Sequence, residues 1–407
     1  MLYFKNSELA YTYHVSVRTV RNWIESVKQG KLDLDLHTHA GRQYVSNTAR
    51  NIATIERMVE DRKKYRPHRA VKTVSPRPEF YRLFNEAQIY DIVSNLEIHH
   101  EIPRDYNYFD SGAEDWDKYA QRLAQEDTPN LLTNTIKLIE INQNYIDALL
   151  EKYKIINVVD VGVGNAYPVR KLLSHLLGKG VLGRYVAIDI SQEMLSIAKN
   201  NIEQWFGDKV AMEECIVDVN KERFANILAE DYIRSTSGEV ANVVLFLGGT
   251  IQNFRKPSSV LSAINDSMGV NDILIHTQKL DTSTSRRYFD FSNGNEKHEV
   301  PRQNRLLIDL LNIDPSFYDV EMGYDEMRRE RFIRVKLKVA LGIDFNFSAG
   351  KKVISLNKDD RILLWRARQD TVLDVIDQLT NNDFYPLHVS QTDDYEYLLA
   401  LSRIKLD

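Results

Sequence analysis

Acidic residues near the ends of apolar runs, beside paired glycines, are the residues of this chain best suited to chemistry. Val158, Val159 and Val161 read as a buried parallel strand that contains Asp160 and runs into Gly162 and Gly164; Val169, Leu172, Leu173 and Leu176 then recur at helical spacing. Glycines at such a turn let the backbone approach a ligand closely. A dinucleotide fingerprint would place a third glycine at position 167, where Tyr167 stands, and this counts against NAD. The next strand, RYVAIDIS, ends in Asp189, placed to accept both hydrogen bonds of a ribose diol, with Ser191 as the cap of the following helix. A third, EECIVDVN, ends in Asp218, which can take an adenine amino proton. Three successive strand ends make one site for a nucleoside-containing cofactor, the alternative being a doubly wound fold whose acids are structural.

A fourth apolar run, VVLFLGGTIQNF, continues the series. Its polar tail belongs in the crevice at the carboxyl ends of the sheet, where Gly248 and Gly249 keep side chains away, Thr250 offers a hydroxyl and Asn253 offers both donor and acceptor. A glycine turn capping a helix is the plainer alternative.

The set Asp160-x-Gly162-x-Gly164, Asp189 and Asp218 resembles the class I S-adenosylmethionine-dependent methyltransferases, with Ala166 where those enzymes usually carry a third glycine. FLGGTIQNF is similar to the FLGSTIGNF motif of the histidine N-alpha-methyltransferases of ergothioneine biosynthesis. IPRDYNYFDSGAEDW resembles that family's LPxKYFYDxxGSxLF segment, with Tyr108, Gly112 and Trp116 at matching spacings. The resemblance runs from about Ile102 to the C-terminus. It implies that Asp160, Gly162, Gly164, Asp189, Asp218 and Gly248 belong to an S-adenosyl-L-methionine site. It also implies that Tyr108, Trp116, Thr250 and Asn253 line an amino-acid site, where the asparagine holds a carboxylate. In-line methyl transfer to the amine of a small molecule follows, oriented by Tyr108 and Asn253, with the Tyr108 hydroxyl helping to deprotonate the acceptor. No metal is implied: His37, His39, His99 and His100 lack a third ligand. No Asn/Asp-Pro-Pro-Tyr or Pro-Cys motif of the DNA methyltransferases is present.

Two segments depart from the family. QEDTPNLLTN has Thr128 or a neighbour where the family has a carboxylate-binding tyrosine, and LLWRARQDT has Arg366 and Arg368 where the family's glutamate and serine hold an imidazole. On a strand these arginines share one face and Trp365 with Ala367 the other. Either the acceptor brings an anion to that wall, or no histidine binds. A slipped alignment or a solvent-facing strand stands beside both.

These groups need a scaffold. The resemblance places them in an α/β class I (Rossmann-like) methyltransferase domain over 102–407, with an α+β substrate-binding insertion at about 282–350. Residues 67–101 read as a linker, the proline-rich part of KKYRPHRAVKTVSPRPEF (63–80), followed by an amphipathic helix from Phe80 to Val93 suited to docking or homodimerisation. Residues 1–66 carry helix, turn, helix and hairpin patterns that resemble the winged helix-turn-helix domains of MerR-type regulators and excisionases. Met1–Pro78 holds 15 Lys and Arg against 7 Asp and Glu, a net of +8 in a chain of net −5. Arg18, Arg21 and Arg42 are placed for DNA phosphates, and Thr19 and Asn22 for base edges. A protein-interaction module is the alternative for this segment, and a DNA-binding regulator that senses a ligand without turnover is the alternative for the whole. A single cysteine, Cys215, and no apolar run of membrane-spanning length point to a soluble, cytoplasmic protein.

Overall fold

The computed structural model describes residues 3–13, 15, 17–64, 71–229, 231, 238–287 and 298–406, so residues 67–70 of the expected linker and 288–297 of the expected insertion lie outside the described residues. The chain forms two compact units, Met1–Val71 and Lys72–Asp407.

In the first unit, α1 (Asn6–Thr12) and α2 (Val17–Lys28) are followed by strands β2 (Leu36–His39) and β3 (Arg42–Ser46) and by α3 (Ala49–Lys64). A short β1 (Tyr3–Phe4) pairs with the far side of β3. The hairpin closes over two residues, Ala40 and Gly41, both at positive φ, as a two-residue turn matched to strand twist requires. Leu9, Val20, Trp23, Ile24, Leu34, Val45 and Ile55 bury one small core. The Asn51 amide closes it from below: it donates to the carbonyls of Asp35 (2.8 Å) and Ser46 (2.9 Å) and accepts from the Asp35 amide (2.9 Å).

The second unit is built on a seven-stranded sheet. Strands β5 (Ile155–Val161), β6 (Leu182–Asp189), β7 (Met212–Ile216), β8 (Val240–Phe246) and β9 (Ile273–Lys279) run parallel in the order β9-β8-β5-β6-β7. Beyond β9 lies β16 (Tyr397–Ile404), antiparallel to it, and then β15 (Phe384–Gln391). Such strands form from continuous apolar runs because both sheet faces are covered; β8 is buried at every position. Val158 packs on one face with the helices Arg170–Gly178 and Gln192–Phe206, and Val159 and Val161 on the other with the helix Pro257–Asn265. This mixed, mostly parallel sheet agrees with the class I fold expected.

A second layer supplies its own core. Strands β10 (Tyr318–Asp325), β11 (Glu330–Leu337) and β14 (Arg361–Arg368) form one three-stranded sheet; β12 (Leu341–Phe347), β13 (Gly350–Leu356) and β4 (Lys72–Val74) form another. The layer therefore extends to Arg368 rather than ending near 350, and part of the expected linker is a strand, since Lys72–Val74 pairs in parallel with Leu341–Ile343. The expected single helix is two, α4 (Pro78–Leu83) and α5 (Glu86–His99), divided where Phe84 turns extended and Asn85 caps α5 with Gln88 in a reciprocal box. Phe80, Phe84, Ile89, Ile92, Val93 and Leu96 bury into this layer's core against Leu337, Ile343 and Phe345, so the helix has its partner within the unit. Among the described residues, no helix is long and apolar enough to cross a membrane.

Candidate functional site

A cleft opens at the carboxyl ends of the parallel strands, where ligands of such sheets bind. Gly162 and Gly164 after β5, Asp189 at the end of β6, Asp218 after β7 and Thr250 after β8 all line it, together with Tyr108 and Trp116 from the segment preceding the sheet.

The glycine turn is sterically determined. Gly162 and Gly164 have φ of +73° and +55°. Ala166, in place of a third glycine, also sits left-handed at +60°, a conformation that costs an alanine about 1 kcal/mol. Gly112, in the segment before the sheet, is required differently: a Cβ there would lie 2.0 Å from the Asn107 carbonyl oxygen.

Asp189 accepts the Ser191 amide at 3.1 Å and further amides from Ile190 and Gly164, yet burial still pushes its carboxyl up to about 6. Ser191 caps the helix Gln192–Phe206 by accepting from the Met194 amide and donates its own hydroxyl to the Tyr108 carbonyl at 2.6 Å, which ties the preceding segment to the sheet. Asp218 is held by the Asn220 amide (3.1 Å) and by Lys221 (3.0 Å), whose ammonium also reaches Asp91 on α5 at 3.0 Å.

Tyr108 packs edge-on against Trp116, with ring centroids 6.3 Å apart. Burial, opposed by the neighbouring Arg104 and helped by Asp105 and Asp189, pushes its hydroxyl up to about 12. It is therefore a neutral phenol, able both to donate and to accept a hydrogen bond at the cleft wall.

Several expected residues lie elsewhere. Asp160 shares a strand face with Val158 and points into the core, where it accepts from the Tyr185 hydroxyl at 2.9 Å; burial pushes it up to about 7. Gly248 donates its amide to Thr277 Oγ1 (3.0 Å), and Thr250 donates to the Leu247 carbonyl (2.9 Å). Neither Gly248 nor Asn253, half-buried at the end of the short helix Thr250–Asn253, is part of the cleft lining.

Arg366 and Arg368 are also outside the lining. Arg366 is paired with Glu101 and with Glu330 (3.3 Å), its side chain only 12% exposed, and Arg368 is paired with Asp370 (2.7 Å). The anions expected at this wall are present, but they belong to the protein. In the first unit, Arg18, Arg21, Asn22 and Arg42 are exposed and Thr19 is half-buried.

Sequence reasoning passed over Asp105, Met194, Val217, Val219 and Phe254, which line the cleft. Val217 and Val219 flank Asp218, Phe254 follows Asn253, and Asp105 lies inside the quoted IPRDYNYFD. Gln252 was missed as well. It is buried, and its amide donates to the carbonyls of Lys279 (2.8 Å) and Arg368 (2.7 Å), fixing the glycine loop to the second layer.

The sequence model of histidine-specific, S-adenosylmethionine-dependent methyltransferases matches residues 88–403. No curated protein sequence matches. Among solved structures, an S-adenosylmethionine-dependent methyltransferase from Clostridium acetobutylicum is similar at 12% identity and a TM-score of 0.39, over 72% of this chain and 99% of that one. Magnesium protoporphyrin IX methyltransferase from Synechocystis gives 11% and 0.35 over 74% and 97%. The 1,6-didemethyltoxoflavin-N1-methyltransferase from Burkholderia thailandensis gives 11% and 0.37 over 75% and 91%. At these scores the structural likenesses decide nothing about activity.

Proposed function

The chain belongs to the histidine-specific, S-adenosylmethionine-dependent methyltransferases, and from that premise we propose that it methylates the amine of a small amino-acid-like molecule. The bound cofactor supplies an electrophilic methyl group on a sulfonium. What carries the reading is the convergence of Gly162, Gly164, Asp189 and Asp218 from three strand ends on one cleft, closed by Tyr108 and Trp116.

In this reading Asp189 accepts from the ribose hydroxyls and Asp218 from the adenine amino group. The left-handed turn at Gly162 and Gly164 gives backbone access, and Trp116 excludes water above it. Thr250 and the neutral Tyr108 phenol orient the acceptor, with Asn253 at the far end of the same loop. The nucleophile arrives as a neutral amine, and catalysis rests on alignment and desolvation.

Purified protein should bind S-adenosylhomocysteine by calorimetry and should release it from S-adenosylmethionine when a panel of free amino acids is offered. N-acylated forms of the same amino acids should remain unmethylated. Transfer to the acylated forms, or none to any amine, would remove the amino-acid-like acceptor. Absence of cofactor binding would remove the enzyme.

The first unit favours an attached DNA-binding role, read as a winged helix-turn-helix. Val20, Trp23 and Ile24 of α2 are buried, whereas Arg18, Arg21 and Asn22 on the same helix face solvent. Turnover separates a DNA-tethered enzyme from a regulator that only senses the ligand.

A further inference from the structure

The cleft holds one more carboxyl group than the proposed cofactor contacts use. Asp105 sits on the single-turn helix Arg104–Tyr108, outside the parallel sheet, and lines the cleft together with Asp189 and Asp218. We propose that Asp105 is a purine-recognising residue of the cofactor site, donating a hydrogen bond to an adenine ring nitrogen while Asp218 accepts from the amino group. This rests on S-adenosylmethionine being the cofactor and deepens that reading.

The complementarity is chemical. An adenine edge presents an amino donor beside a ring-nitrogen acceptor, so it needs one acceptor and one donor from the protein. Two aspartates can supply both only if one keeps its proton. Asp218 is the acceptor, because it is ion-paired to Lys221 and takes the Asn220 amide. Asp105 is suited to be the donor. Half-buried in the cleft wall, it faces negative charge from Asp218 and Asp189; Arg104 on its own turn and Lys221 after β7 oppose this only in part. The neighbouring Tyr108 is neutral. Burial, then Asp218, push Asp105 up to about 7.

A second carboxyl titrates with the opposite consequence. Asp189 must be ionised to accept from a ribose diol, and its carboxyl is pushed up to about 6. Affinity for the nucleoside should therefore rise through about 6 as Asp189 loses its proton and fall above about 7 as Asp105 loses its own.

The test is calorimetric titration of the full chain with S-adenosylhomocysteine at about pH 5, 6.5 and 8.5, values chosen to straddle both groups. Wild type should bind best at the middle value and lose roughly tenfold at the alkaline one. Asp105→Asn keeps an N–H donor that does not titrate, so it should keep the acid limb and lose the alkaline one. Asp105→Leu should bind about tenfold more weakly at the middle value, the loss expected for one hydrogen bond, and should also lack the alkaline limb. An alkaline limb absent from wild type, or surviving in Asp105→Asn, overturns the proposal, as does full affinity in Asp105→Leu. Wild type that binds at no pH overturns the cofactor reading instead.

Discussion

A Cβ atom added at Gly164 would stand 2.7 Å from the Trp116 ring, closer than real side chains approach, at a residue whose φ is already +55°. Trp116 thus roofs the glycine turn and is in contact with it. Gly164→Ala should weaken S-adenosylhomocysteine binding by tenfold or more and lower stability by about 1–2 kcal/mol, the cost of an alanine in the left-handed region. Trp116→Leu in the same chain should relieve the ring contact and recover part of the affinity, leaving the backbone cost. If the double variant binds no better than Gly164→Ala in calorimetry, the ring contact is not what makes the glycine necessary.

Asp160 gives a prediction about stability rather than binding. Its folded carboxyl is pushed up to about 7, above the ordinary range of about 3.9 in an unfolded chain. The folded state therefore holds the proton more tightly. The stabilisation is full below about pH 4 and is lost as pH rises through about 7. Asp160→Asn keeps an acceptor for the Tyr185 hydroxyl and cannot ionise, so urea unfolding of the ligand-free variant should fall less between about pH 5 and 8 than that of wild type. Asp105 and Asp189, also raised, contribute to the same slope and would remain. An unchanged slope in the variant would show that Asp160 does not carry it.

Part of the cleft lining was legible because its residues sit in short local patterns. An apolar run predicts a strand, and its polar end predicts the crevice, so Gly162, Gly164, Asp189, Asp218 and Thr250 could be found without knowing the fold. That Asp160 turns to the Tyr185 side of the sheet could not be read, because one residue of strand alternation decides between the two faces. The partners of Arg366 and Arg368 could not be read. Glu101 follows α5, Glu330 opens β11, and only the tertiary fold brings them to β14. The same holds for Lys72–Val74, whose three residues become a strand only because β12 offers a free edge. Asp105 lay in a recognised segment, but nothing local marks a carboxyl that will face two others.

Those arginine partners change what a substitution at Arg366 should do. Its side chain and those of Glu101 and Glu330 are 12–15% exposed, and burial already raises the Glu330 carboxyl despite the guanidinium beside it. Removing one member of such a cluster strands the others. Arg366→Ala should cost about 3 kcal/mol or more in urea unfolding while S-adenosylhomocysteine affinity of the folded protein stays within about twofold. Arg366→Ala combined with Glu101→Gln and Glu330→Gln should recover much of the loss, since uncharged amides need no counter-ion. A single variant of native stability that no longer methylates would place Arg366 at the acceptor instead.

The first unit carries a separable expectation. Arg18 and Arg21 extend from α2 into solvent while Val20, Trp23 and Ile24 hold the helix to its core, so the arginines can be removed without loosening the fold. If α2 enters a major groove, each arginine displaces about one counter-ion from the duplex. Arg21→Ala should weaken binding of the full chain to a duplex several-fold at low salt and lower the salt-dependence slope by about 1; Arg18→Ala should do the same, and the pair should add. Asn22→Ala should leave that slope alone and change only the preference among sequences, because a base contact releases no counter-ion. Fluorescence anisotropy across a salt series measures all three variants. Wild-type association that ignores salt would assign the exposed face of α2 to a protein partner.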